Sequence, residues 1–228
     1  QFDQDVLGYL TGFKQSALHG TPDTVNTTVN GTVAVSTAGT DELLSSMKLD
    51  AAAFGGSAGD ALALQPRAGG ATDTTPAVGD TFPLTVIARM SRLLDQQNVD
   101  TQGRWLVVDP VFMELLKDED SRLFNADFGG SGLANGQIGM NIHGFRVYQS
   151  NNLPAVGTGP SFTGTNSAVN YGMIVAGHDS AVATAEQINK TETYRDPDSF
   201  SDIVRGMHLY GRKILRPEAL VNAKYHLA

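Results

Sequence analysis

The sequence predicts an α+β domain. Apolar residues recur at helical spacing over 2–18, 82–98 and from Pro110 onward. Residues 104–108, 171–176 and 203–215 are instead short apolar runs bounded by Gly, Asn and Pro, the pattern of strands. The composition agrees. The 228 residues are 41% hydrophobic, only 18% charged, and include 25 glycines. Average soluble domains are roughly 25% charged, so this chain is suited to turns, strands and surface covered by partners.

The elements follow in order. Phe2, Val6, Leu10, Phe13 and Ala17 form one apolar stripe, which predicts a helix over 2–18 ended by Gly20, Thr21 and Pro22. Residues 20–80 carry two basic side chains, Lys48 and Arg67, and one aromatic, Phe54. They read as a long Gly/Ala/Thr-rich insertion, with a short helix at about 40–53 that buries Leu43, Leu44, Met47 and Ala51. Pro83 starts a helix over 82–98 whose stripe is Leu84, Ile87, Met90 and Leu94. Arg104–Val108 is a short buried strand. Asp109 then caps a helix with Pro110 in its first turn, and that helix ends in the charged run 117–122.

Residues 139–150 read as two strand pieces around a His143–Gly144 turn. Asn151, Asn152 and Pro154 break the chain, and 155–170 is a loop. Residues 171–176 form a strand, while 179–195 fit either strand or helix. Residues 203–215 form a long strand, and Gly206 and Gly211 within it suggest a bulge or bend. Arg216–Pro217 ends it. No repeat is visible.

Several function classes are excluded or weakened. The absence of cysteine removes disulfides, zinc–thiolate sites and Cys nucleophiles. A net charge of −8 opposes free nucleic-acid binding, which needs a positive surface. No apolar run approaches a membrane span of roughly 18 residues, and no membrane partner is expected. The opening QFDQDVLGYL has no basic n-region and no Met, so the gene product is expected to extend upstream of Gln1.

Candidate chemistry is sparse. Gly55-Gly56-Ser57-Ala58-Gly59 matches the nucleophile elbow of serine hydrolases, but Asp50-Ala-Ala-Ala-Phe54 before it is no β-branched strand. A flexible loop is the favoured reading of Ser57. The five histidines (His19, His143, His178, His208 and His226) are too dispersed for a local metal pair. His178-Asp179-Ser180 holds triad residue types in consecutive positions, where they cannot face one another as a triad does, so a turn or cap is expected. Asp118–Asp120 reads as a solvated helix end rather than a cation loop. Gly130–Gly136 lacks the spacing and βαβ setting of a dinucleotide loop. The sequons at Asn26, Asn30 and Asn189 fit chance in a Thr-rich chain. The stretch from Ser201 is locally basic, with Arg205, Arg212, Lys213, Arg216 and Lys224 against two acids. No catalytic, cofactor-binding or metal residues are assigned, and no cofactor is expected.

Four segments in order carry a resemblance: RWLVVDP at 104–110, GFRVYQSNNLP at 144–154, GHDSAVATAEQI at 177–188 and GMHLYGRKILRPEALV at 206–221. LLDQQNV at 93–99 fits the same series. Over roughly 82–221 the chain resembles the major capsid proteins of tailed bacteriophages with the Hong Kong 97-type fold, in particular coat proteins of short-tailed phages and cyanophages. The resemblance implies a peripheral domain with a spine helix and long β strand, and an axial domain around a small central sheet. Residues 1–81 would be the end of the spine helix plus the insertion. Residues 82–200 would be mainly axial, and 201–228 a long strand and C-terminal segment returning between the two domains. About a third of a usual subunit, including the N-terminal arm and extended loop, has no counterpart here.

The implied function is structural. Hexamers and pentamers would form an icosahedral shell around double-stranded DNA, bound without sequence preference, in a virion assembled in a bacterial cytoplasm. Scaffold, portal and decoration proteins are the further partners that the resemblance implies. The alternatives are an encapsulin-like nanocompartment shell and, less favoured, a serine hydrolase using Ser57.

Overall fold

The computed structural model describes residues 2–11, 13–14, 28–29, 33–35, 43–65, 80–117, 141–156, 160, 171–195 and 201–227. Its helices are α1 (Phe2–Leu10), α2 (Pro83–Gln96) and α3 (Pro110–Leu116). The first strands are β1 (Phe13–Lys14), β2 (Thr28–Val29), β3 (Val33–Val35), β4 (Lys48–Leu49), β5 (Leu62–Leu64), β6 (Asp80–Thr81) and β7 (Arg104–Val108). They are followed by β8 (Asn141–Ile142), β9 (Phe145–Gln149), β10 (Ala155–Val156), β11 (Tyr171–His178), β12 (Val182–Arg195), β13 (Asp202–Ile214) and β14 (Leu220–Leu227).

A mixed sheet forms the core, in the order β6-β5-β14-β11-β7-β9-β8, with β10 beside β11 and β4 beside β14. Strands β11 and β14 are its centre. They pair antiparallel from Gly172↔Tyr225 to Gly177↔Leu220. Seven successive residues of β11 are buried, as a strand covered on both faces requires. The sheet draws strands from all three segments that the sequence suggested as units: β4 to β6 from 1–81, β7 to β11 from 82–200, and β14 from 201–228.

Helices α2 and α3 cover one face. In α2, Pro83, Val86, Ile87, Met90 and Leu94 are buried. Each large apolar side chain removed from water this way stabilises the fold by about 1.5–3 kcal/mol. Helix α3 begins as its sequence dictates. The Asp109 side chain accepts from Phe112 N–H at 3.0 Å, and Pro110 occupies the first turn. Phe112 then meets Tyr225 of β14 edge to face, with centroids 5.3 Å apart.

The opposite face carries α1. There the buried Asn222 side chain donates to Thr11 O at 2.9 Å, tying the end of α1 to the central strand. Strands β12 and β13 leave the sheet as a separate two-stranded antiparallel arm, from Val182↔Ile214 at its base to Arg195↔Asp202.

Several expectations are corrected. The N-terminal helix stops at Leu10, and Phe13–Lys14 is a strand paired with Ala34 and Val35, so a non-local ladder overrides the helical stripe. Residues 40–53 contain no α-helix among the described positions. Two 3-10 turns, Ser45–Met47 and Ala51–Phe54, flank β4, which joins β14. Leu43, Met47 and Ala51 are buried as expected, whereas Leu44 is exposed. Residues 179–195 resolve into a 3-10 turn and β12. Arg216–Pro217 is only a corner, and the strand beyond it, β14, was not foreseen.

Gly206 and Gly211 are not themselves the irregular positions of the arm. Each pairs in register, with Thr191 and Ala185, and the register shift lies across the ladder, between Ile188 and Lys190. A Cβ built on Gly211 meets nothing within 4 Å. The extra residue in β12 therefore supplies the irregularity, as a bulge does.

Candidate functional site

The β12–β13 arm carries many of the exposed residues among those described. Two strands alone are marginally stable in water, because a ribbon has no second layer to bury either face. Here the base is tied down. Leu215 and Arg216 N–H groups both bond to Ala181 O, at 2.9 and 3.2 Å. Helix α1 covers one side of that base. Tyr9 places its hydroxyl 3.5 Å from Ile214 N–H, which donates to it, and Arg212 stacks over the Tyr9 ring at 4.9 Å. Burial lowers the pKa of Arg212 from the ordinary guanidinium value.

Further out, Arg205 clasps Glu192 across the ladder at 2.7 Å and stacks on Tyr194 at 5.1 Å. The Arg205 side chain is 66% exposed, so this pair adds little to stability. Val204, Leu209 and Tyr194 stand in solvent on the arm.

Beside α1 lies a groove of about 700 Å³. Trp105, Val107, Arg146 and Tyr148, from the parallel pair β7 and β9, form its floor, with Leu7 and Leu10 along one wall.

Two buried polar nodes fix the sheet beneath these surfaces. The first is Arg104, whose guanidinium donates to Asp100 O at 2.7 Å, Val99 O at 2.6 Å and Asp95 Oδ1 at 2.7 Å. It closes the connection between α2 and β7. The second joins Tyr225 to Asp109 through a short hydrogen bond, in which the phenol donates to the carboxylate that caps α3. Burial pushes the Asp109 carboxyl above the usual carboxylate range, against the lowering pull of Tyr225 and the Phe112 N–H. Burial and the Asp109 charge push the Tyr225 phenol up as well.

The residues singled out in the sequence fall into structural roles. Ser57 is exposed in a loop that follows a 3-10 turn capped by Gly55 and leads into β5, so no strand-to-helix elbow presents it. Asp50 holds this loop, accepting from Ala52 N–H at 3.2 Å and Gly59 N–H at 2.8 Å. His178 is a cap: its Nδ1 accepts from Ser180 N–H at 3.1 Å, so the His-Asp-Ser run is a turn, as expected. His143 and Gly144 make the tight β8–β9 turn with positive φ of 48° and 83°.

The locally basic C-terminal stretch is dispersed. Arg205 meets Glu192, Arg212 meets Tyr9, Arg216 meets Glu218 at 3.0 Å, and Lys224 lies 5.6 Å from the Tyr171 ring centroid. Among the described residues no three His, Asp or Glu side chains gather as a metal site. No described helix is long and apolar enough to cross a membrane. The acidic run 118–120 and the glycines of 130–136 lie outside the described residues, as do Asn26 and Asn30. Sequence reasoning missed the Asp109–Tyr225 node and the pairing of β12 with β13. The first links residues 116 positions apart, and residues 182–188 lack the apolar alternation that would have marked the second.

The described fold is a sheet packed on helices with an exposed two-stranded arm. Comparison identifies the group. Residues 15–223 match the family model described as phage capsid protein, and the chain belongs to that family. Among similar solved structures is a chain from Mycobacterium phage Che8. It is 32% identical, with 71% of this chain and 53% of that one covered and a TM-score of 0.52. The capsid of Ralstonia phage GP4 is 13% identical over 99% of this chain and 63% of that one, with a TM-score of 0.50. The capsid of cyanophage P-SCSP1u is 20% identical over 72% and 51%, with a TM-score of 0.48. No curated protein matches. The chain spans about half the length of the Che8 and P-SCSP1u chains. The α+β architecture is a capsid fold of the Hong Kong 97 type, as the resemblance implied.

Proposed function

We propose that the chain is the structural subunit of an icosahedral phage shell, in which copies associate as hexamers and pentamers around double-stranded DNA. The match to the capsid family over residues 15–223 carries this reading. The net charge of −8 supports it, because an acidic wall does not hold DNA tightly and lets it move in and out. Catalytic turnover has no part in this role, and portal, scaffold and decoration proteins would be its partners in the virion of a bacterial host. The axial unit comprises the central sheet with α2 and α3, and the peripheral unit comprises α1 with the β12–β13 arm.

The test is the content of particles isolated from an expressing host. DNA that resists external nuclease and is released on disruption is the expected result. Particles filled with a cargo protein and free of DNA would instead identify a nanocompartment.

A further inference from the structure

Each strand of the arm is joined to the sheet by a 3-10 corner. Asp179–Ala181 links β11 to β12, and Pro217–Ala219 links β13 to β14. The two corners lie side by side, and side chains bond one to the other. His178 Nδ1 accepts from Ser180 N–H at 3.1 Å and lies 2.8 Å from Ser180 Oγ. Arg216 Nη1 donates to the same Oγ at 3.4 Å, and Arg216 Nε donates to Glu218 Oε1 at 3.0 Å. His178 is half-buried while Asp179 and Ser180 are exposed, so a proton from water can reach the ring.

We propose that this cluster is a proton-operated clasp: it fixes the arm to the sheet while the His178 ring is neutral and loosens it when the ring is charged. A ring nitrogen that accepts a backbone N–H carries no proton, and histidine is the side chain whose charge changes between about pH 5 and 8. With a proton on Nδ1 the ring can only donate. The Ser180 hydroxyl tolerates the exchange, because it donates or accepts, but Ser180 N–H loses its acceptor. The charged ring and Arg216 then meet as two cations at one oxygen. Arg216 keeps an alternative partner in Glu218, whose carboxyl is held below the usual carboxylate range by its own backbone N–H and by Arg216. The charged ring has a neighbour of opposite sign in Asp179: Asp179 Oδ2 and His178 Nε2 lie 3.1 and 3.3 Å from the point a Cβ on Gly103 would take. On the sheet side, Arg146 of β9 feels the Asp179 charge. Arg104, opposite His178 in the ladder, turns its guanidinium to Asp95, Asp100 O and Val99 O instead. One corner thus has two bonded states. In the second, the backbone bonds from Leu215 and Arg216 to Ala181 O remain, and the side-chain bridge does not.

The chain has no cysteine, so spin labels at Thr193→Cys on the arm and Gln149→Cys on β9, both exposed, report where the arm lies. Labelled chain is diluted in unlabelled chain so that distances within one copy are read. The distance distribution is expected to be narrow at about pH 7.5 and broader at about pH 5. Amide exchange at Ser180, corrected for its intrinsic pH dependence, is expected to quicken by about fivefold over the same interval, the factor that one lost cap implies. His178→Asn keeps a capping acceptor and cannot titrate, so it should hold the narrow distribution at both pH values. Ser180→Ala removes the oxygen that joins Arg216 to the ring, and should broaden the distribution already at the higher pH.

An unchanged distribution, or an unchanged Ser180 exchange rate, would overturn the proposal. So would a His178→Asn chain that keeps the parent's pH response, which would place the switch on Asp179 or Glu218, and a Ser180→Ala chain as narrow as the parent at the higher pH. None of these readouts requires a shell, so the clasp is tested separately from the assembly reading.

Discussion

Replacing Arg104 by Met tests whether this buried cation acts as a donor to backbone or as half of an ion pair. Its side chain is 2% exposed, while that of its partner Asp95 is 55% exposed. Methionine keeps most of the stem's volume and removes every donor. Asp100 O and Val99 O then lose their bonds of 2.7 and 2.6 Å. Leaving the buried Val99 O unmet costs about 1–3 kcal/mol, and the part-buried Asp100 O adds a smaller amount, for a predicted loss of about 1–4 kcal/mol. Asp95 regains water and adds only about 0–1 kcal/mol. Asp95→Asn should therefore cost less than about 1 kcal/mol. Urea unfolding followed by fluorescence of Trp105, the single tryptophan and the next residue in β7, measures both variants through their midpoints at constant slope. If Arg104→Met stays within about 0.5 kcal/mol of the parent, or Asp95→Asn matches it, the backbone-donor account fails.

Three further outcomes follow from the same geometry. Gly177→Ala should lower thermal stability by about 1–3 kcal/mol through overpacking, because its Cβ would lie 2.9 Å from Leu220 Cδ1 and Trp105 Cζ2 and 3.1 Å from Ala219 O. An unchanged melt would show that the sheet yields there. Gly211→Val should melt within about 0.5 kcal/mol of the parent, since its Cβ is unopposed; a clear loss would restore the bend that the sequence suggested. Asp109 makes a pH prediction. Its folded pKa is raised, so its contribution is fully present below the unfolded value of 3.8 and is lost as pH rises through the folded pKa. The melting temperature of the parent relative to Asp109→Asn should thus increase as pH falls from 7 toward 4, and a difference that stays flat or shrinks would refute the assignment. Asparagine keeps the cap, so α3 itself is not the variable.

What could be read from the sequence was local. Asp109-Pro110 announces the start of α3 because a cap and its N–H partner lie three residues apart. Pro83 and the spacing of Ile87, Met90 and Leu94 do the same for α2. His143–Gly144 marks a turn because glycine accepts the positive φ found there without a Cβ clash.

The misses are non-local. Leu220–Leu227 is buried mostly on both faces between β11 and the β4/β5 edge, so it shows no clean alternation, and Pro217 made the chain look finished. The stripe over Phe2–Ala17 is real as far as Leu10, but Phe13 is claimed by β3, which no helical count can anticipate. Gly211 suggested a bulge or bend because glycine often marks one, whereas here it pairs in register and the extra residue lies in β12. The arm itself was half visible, as one strand at 203–215. Its partner reads Val-Ala-Thr-Ala-Glu-Gln, with small and polar residues in place of an apolar alternation, because one face is bare.

The shell is the central claim, and electron microscopy of particles formed by the full gene product tests it most directly. The account predicts closed icosahedral particles of uniform diameter, in which the β12–β13 arm of each copy lies against a neighbour. A product that remains monomeric or dimeric at high concentration, with a scaffold protein supplied, would contradict it.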